Sequence, residues 1–111
     1  MKIINAEIKD VTVGFDARKS FSVMVGFDSQ HGYCFWFFIL TNPTDVQRLV
    51  KLMEYVGANN FDDLNGKIIR KVEDSAECLR GFGHPIADKF VPILTEEFKE
   101  INEKEFEQLL K

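Results

Sequence analysis

Apolar residues recur at every second position through the N-terminal part of the chain, and this constrains its fold more than any other feature. Ile4, Ala6 and Ile8 alternate with polar neighbours, and Phe21, Val23, Val25 and Phe27 keep the same period. Spacing of two places such residues on one face of a β-strand. Val11, Val13 and Phe15 alternate in the opposite phase to Ile4–Ile8. A strand cannot change phase without sending its apolar set to the other face, so a bulge or bend is expected between Ile8 and Val11. Asp16-Ala17-Arg18-Lys19 and Ser29-Gln30-His31-Gly32 supply turn residues between these runs. Tyr33 to Leu40 is apolar at both phases, which predicts a central strand covered on both sides.

The period then changes to that of a helix. Asn42-Pro43 is a start signal: the Asn side chain accepts from free first-turn amides, and Pro at the first helical position forfeits no hydrogen bond. Val46, Leu49, Val50, Met53 and Val56 follow as one apolar stripe, and Gly57 is a natural stop. Asn60 to Leu64 reads as a short helical turn ended by Asn65-Gly66. Two further strands are expected at Lys67–Val72 and Ala76–Phe82, with a short edge strand at Phe90–Leu94 limited by Pro92. Asn102-Glu103-Lys104-Glu105 fits a capping box opening a C-terminal helix. The chain thus reads as a single α+β domain over residues 1–111, a twisted antiparallel sheet with a central helix on one face and a short C-terminal helix.

The eleven Phe are more aromatic surface than a small core usually uses, so either the core is Phe-rich or some rings lie at an interface. An edge strand and surplus rings together predict a homodimer. Cys34 and Cys78 belong to no Cys/His cluster and read as buried reduced thiols without structural zinc. The N-terminus, MKIINAEIKD, lacks the apolar core of a signal peptide, and no apolar run approaches the length of a membrane helix. The net charge of −4 is concentrated after residue 90 and disfavours nucleic acid, whose binding draws on basic surface.

One segment stands apart. Leu64 to Pro92 crowds Lys67, Arg70, Lys71, Arg80, His84 and Lys89 around Gly81 and Gly83. Arginines on neighbouring strands would clamp an anion, because guanidinium presents a planar fork. His84 would add a donor, and the glycines would let a ligand approach the backbone. Equally, the glycines would serve close packing or a bulge, and the charges would be an exposed edge. Gly81-Phe82-Gly83 lacks the third glycine of a dinucleotide fingerprint, and Gly66-Lys67 is followed by Ile rather than Ser or Thr. No nucleophile elbow or metal spacing appears, so a non-enzymatic protein without cofactor or metal is expected. The candidate binding residues are Lys67, Arg70, Arg80, Gly81, Gly83, His84 and Lys89, together with Trp36. A nucleic-acid accessory factor stacking bases on Trp36 or Phe82 is the alternative.

Val56-Gly57, the Asp62-Asp63-Leu64-Asn65-Gly66-Lys67 segment and the Gly83-His84-Pro85-Ile86-Ala87-Asp88-Lys89-Phe90 segment occur in an order that resembles a family of small phage and prophage accessory proteins. The resemblance spans about residues 4–93. The chain departs from it at Cys34-Phe35-Trp36, where a more glycine-rich strand is expected. The resemblance implies no catalytic residues. It implies a phage protein working in the host cytoplasm as a counter-defence inhibitor, of the anti-CRISPR or nucleotide-sponge kind. Its partner would be a host defence protein or that protein's anionic nucleotide signal.

Overall fold

The computed structural model describes residues 1–111. It contains β1 (Lys2–Phe15), β2 (Phe21–Ser29), β3 (Gly32–Ile39), α1 (Pro43–Val56), a 3-10 turn at Asp62–Leu64, β4 (Ile68–Glu73), β5 (Leu79–Gly83), β6 (Phe90–Pro92) and α2 (Glu103–Leu109). The strands form one sheet in the order β3-β2-β1-β4-β5-β6, with every neighbouring pair antiparallel. The fold is α+β, as the periodicity predicts. No helix is long and apolar enough to cross a membrane.

The sheet is strongly curled. Lys71 on β4 and Gly32 on β3 lie three strand spacings apart, about 14 Å in a flat sheet, yet Lys71 Nζ stands 3.3 Å from the Gly32 carbonyl. The bend on β1 falls where the phase changes. Its register with β2 shifts between Lys9 and Thr12, and Asp10 takes a φ of 56°. The Val11 amide leaves the ladder and donates to Asn65 Oδ1 at 3.2 Å.

The concave face carries the main core, including Ile8, Val25, Phe27, Phe38, Ile69 and Phe82, closed by Leu49, Leu52 and Tyr55 of α1. The opposite face carries a smaller cluster of Val72 and Phe90 under Phe106 of α2. The helix ends follow the sequence signals. Asn42 Oδ1 accepts from Thr44 and Asp45, Gly57 is left-handed at φ 70°, and the capping box at Asn102 and Glu105 is complete.

The structure corrects four expectations. β3 is an edge strand and β1 is central. Only one face of β3 meets the core, through Phe38 and Trp36, while Tyr33 and Phe35 are exposed. α1 is rotated from the expected stripe, burying Asp45, Arg48, Leu49, Leu52 and Tyr55 and leaving Val50 at 48% exposure. Asp45 and Arg48 neutralise each other as an ion pair at 3.0 Å, so a face that counts as polar can turn inward. β5 begins only at Leu79, because Asp74 Oδ1 accepts from the Ala76 and Cys78 amides and holds that stretch in a turn. Consequently Cys78 is exposed. Cys34 is half-buried, and both thiols are free.

Candidate functional site

The glycine-flanked segment forms β4, β5, β6 and the loop from His84 to Lys89. Register decides what its charged groups do. Arg70 lies opposite Gly83, not Arg80. Its Nε donates to the His84 carbonyl at 2.6 Å and its second guanidinium arm donates to the Ala87 carbonyl. The plane sits 4.8 Å over the Phe90 ring. The Nε side of the fork and one face of the plane are thus committed to the protein. His84 Nδ1 accepts from the Ile86 and Ala87 amides at 3.0 and 2.9 Å. Nδ1 is thus spent as an acceptor inside the loop. The ring packs edge-on against Tyr55, centroids 5.3 Å apart. His84 is therefore the internal brace of its own loop.

Gly81 and Gly83 serve packing. A Cβ on Gly83 would lie 2.3 Å from the Phe90 ring, and one on Gly81 would lie 2.4 Å from the Val91 carbonyl and 2.7 Å from Phe106. The space that a ligand would need is filled by aromatic rings. Arg80 sits at the β4–β5 irregularity and pairs with Asp74 Oδ2 at 2.7 Å. The Phe90–Phe106 ring pair stands between it and Arg70. Lys67 and Lys89 form no ion pair. The clamp expected of Arg70, Arg80 and His84 accordingly does not assemble, while Lys67 and Lys89 stay without a salt-bridge partner. Trp36 stands on the edge strand, partly buried against the main core, with its indole Nε1 buried and unpartnered.

Asp74 organises the β4–β5 turn. The Cys78 amide holds its carboxyl below the usual carboxylate range, and Arg80 and the Ala76 amide act in the same direction. A carboxyl depressed by folding stabilises the protein above its unfolded pKa, about 3.9. That contribution is lost as pH falls through the lower folded value. An acid titration of the unfolding free energy should therefore lose this step in Asp74→Asn. An unchanged acid limb in the variant would show that Asp74 contributes nothing to it.

Three polar links inside the fold lie outside the expectations drawn from the sequence. Lys71, one of the expected surface bases, is 1% exposed and pairs with Glu73 at 2.9 Å on the concave face. Arg48 donates to the Thr95 carbonyl as well as to Asp45, and Asp45 Oδ2 accepts the Ile39 amide at 3.0 Å. Tyr55 donates to Glu100, and burial together with that carboxylate raises its phenol pKa far above the ordinary value. Burial likewise pushes the Cys34 thiol up, against the pull of Lys71. No group of three or more His, Cys, Asp or Glu side chains is placed to hold a metal.

What remains open is apolar. Leu40, Val46, Val50, Met53 and Phe61 line a concavity of about 330 Å3 on the outer flank of α1, with Asn59 and Asn60 at its mouth. Glu54 lines the adjoining depression, and Asp63 accepts the Asn59 amide. Glu54 is itself paired with Lys51 at 2.9 Å, so the groove is apolar inside and mixed in charge beside it. A second open surface is β3 itself, where Tyr33, Phe35 and Phe37 stack along one face with centroid spacings of 6.4 and 5.5 Å.

No protein-family model matches the chain, and neither a curated protein nor a solved structure matches it.

Proposed function

We propose that this protein is a non-enzymatic binding protein whose partner is a polypeptide, seated in the groove along α1. The observation that carries this reading is how the polar groups are used. Arg70, Arg80 and His84 are committed to the protein's own carbonyls, amides and carboxylates, while a ready-made apolar groove stays open on the helix. Grooves that bury apolar side chains inside a polar rim are the usual seat of a partner's anchor residues. The groove's lining selects a partner segment that presents apolar anchor residues. The resemblance to phage accessory proteins supplies the context: a host defence protein as partner, bound in the host cytoplasm and inhibited there. Sequestration of a nucleotide is the weaker reading, because Arg70, Arg80 and His84 already bond within the fold and leave only Lys67 and Lys89 of the candidate donors. The stacking alternative loses one of its two rings, since Phe82 is 1% exposed.

Val50→Glu tests the reading with little risk to the fold, because the side chain is half outside. A carboxylate forced into an apolar seat is strongly penalised. Affinity for the polypeptide that copurifies with the wild type should fall by at least about tenfold, or 1.4 kcal/mol, with circular dichroism unchanged. Counter-defence activity, scored as phage plaques on a protected host, should fall with it. If Val50→Glu retains both while Lys67→Ala/Lys89→Ala loses them, the working surface is the basic segment and the ligand is anionic.

A further inference from the structure

The two outer edges of the sheet are finished differently. β6 is three residues long, and its Pro92 has no amide to offer. Phe90 exchanges both backbone hydrogen bonds with Ile101, at 2.7 and 2.8 Å, so that edge is closed. β3 has no such protection. Gly32 to Ile39 contains no proline and no charged residue, and its register with β2 runs without a bulge. Proline, charge and bulges are the devices by which exposed edges avoid pairing.

The free part of this edge can be located. The Leu40 amide donates to the Phe21 carbonyl at 2.9 Å. Bonded and non-bonded pairs alternate along an antiparallel ladder, so Tyr33, Phe35 and Phe37 turn their amides and carbonyls away from β2. Ile39 is next in that series, but Asp45 already holds its amide. Three residues are thus unpaired, and their side chains form the aromatic row on one face. The row is held in place: Tyr33 donates to Asp10 at 3.0 Å, crossing Gly26, where a Cβ would lie 2.2 Å from the Tyr33 oxygen. A concavity of about 330 Å3 lined by Phe35, Trp36, Phe37 and Ile39, with Arg18 and Asp45 from neighbouring segments, runs beside the strand.

We propose that a second copy of this chain pairs with β3, antiparallel and about a two-fold axis at Phe35, so that the two six-stranded sheets continue into one. In this register Phe35 of one copy faces Phe35 of the other, and Tyr33 faces Phe37. It is the self-pairing that uses all three free residues and no others. Moving the axis toward α1 would require the Ile39 amide that Asp45 holds, and moving it toward the hairpin would leave Phe37 unpaired. A second copy suits the edge because an uncharged strand meets no like charge in itself, and aromatic cross-strand pairs are favourable. The contact is small beside a standard interface of about 800 Å2 per partner, which places the dimer in the concentration-dependent range. This surface is separate from the α1 groove, so the two proposals stand independently.

Sedimentation over a concentration series should show the wild type passing from the 12.8 kDa monomer to twice that mass. Phe35→Lys sets two ammonium groups opposite each other on the axis and should remain monomeric throughout, with circular dichroism unchanged because Phe35 is 51% exposed. Val50→Glu should dimerise like the wild type, which separates this test from that of the groove. Register is read by oxidation in a Cys34→Ala/Cys78→Ala background. Phe35→Cys should cross-link, because a bonded antiparallel pair sets the Cα atoms about 5.5 Å apart, inside the disulfide range. Phe37→Cys should not, since it faces Tyr33. A wild type that stays monomeric, including one whose edge is taken by a strand of another protein, overturns the proposal. So does a dimer indifferent to Phe35→Lys, or one that cross-links through Phe37→Cys instead.

Discussion

Replacing Lys71 with Met should destabilise the fold by about 3–5 kcal/mol, the usual result of removing one partner from a buried ion pair. For a domain of this size that lowers Tm by more than about 12 °C. Met fills nearly the same volume, so the loss would not come from a cavity. It would come from Glu73, which is 4% exposed and already has one carboxylate oxygen without a partner. Without the ammonium 2.9 Å away, its charge would be buried alone. Lys71 also reaches the Gly32 carbonyl, so the variant would loosen the contact between the β2–β3 hairpin and β4 that accompanies the curl. The control is Lys71→Met/Glu73→Leu. Taking both charges out of the core should restore most of the loss, because an apolar pair of similar volume commonly matches a buried ion pair. Equilibrium unfolding of the two variants decides the matter. A single variant as stable as the wild type would mean that the pair is solvated, and a double variant as weak as the single would assign the loss to the hairpin contact.

The Lys71–Glu73 pair also marks where the sequence stops being legible. The elements whose signals are local read correctly: the bulge after Ile8, the Asn42-Pro43 helix start, the Gly57 stop and the Asn102–Glu105 capping box each depend on residues within one turn. Strand order depends on pairings between distant segments, and alternation carries no trace of it. Tyr33 to Leu40 is apolar at both phases, and such a run suits a central strand as well as an edge strand with an uncovered aromatic row. The rotation of α1 failed for a related reason. A periodic count takes Asp45 and Arg48 as surface, but three residues apart on a helix they meet and cancel.

In the Leu64–Pro92 segment the residues were visible and their use was not. A guanidinium reads the same whether it awaits an anion or ties down a loop, and only the Arg70–Gly83 register separates the two. Two signals were nonetheless present. Lys71 and Glu73 flank Val72 at a spacing of two, on the strand face that Ile69 assigns to the core, and opposite charges there suggest a buried pair. Asp74-Ser75-Ala76 has the form of a turn closed by the aspartate side chain, which moves the start of β5 toward Leu79 and exposes Cys78.

Phe82→Ala should be as damaging as Lys71→Met, for a different reason. The ring is 1% exposed and meets Phe38 and Tyr55 edge-on at centroid distances of 6.5 and 6.0 Å. It therefore joins β5 to β3 across the curl and to α1 above. Truncating a buried Phe costs about 3–5 kcal/mol, the sum of lost transfer energy and the cavity left behind. The cavity would be slow to close, because its walls are held from outside: Tyr55 by Glu100, and the backbone beside it by Gly83 packed under Phe90. Phe15→Ala is the matching control. Phe15 is 76% exposed, and its loss should change stability by no more than about 0.5 kcal/mol. Chemical denaturation of both variants separates a core ring from a displayed one. If Phe82→Ala kept full stability but lost affinity for single-stranded nucleic acid, the ring would be a stacking platform and the nucleic-acid reading would return. The geometry places it between a strand and a helix, where no base can reach, so the loss should appear in the unfolding midpoint.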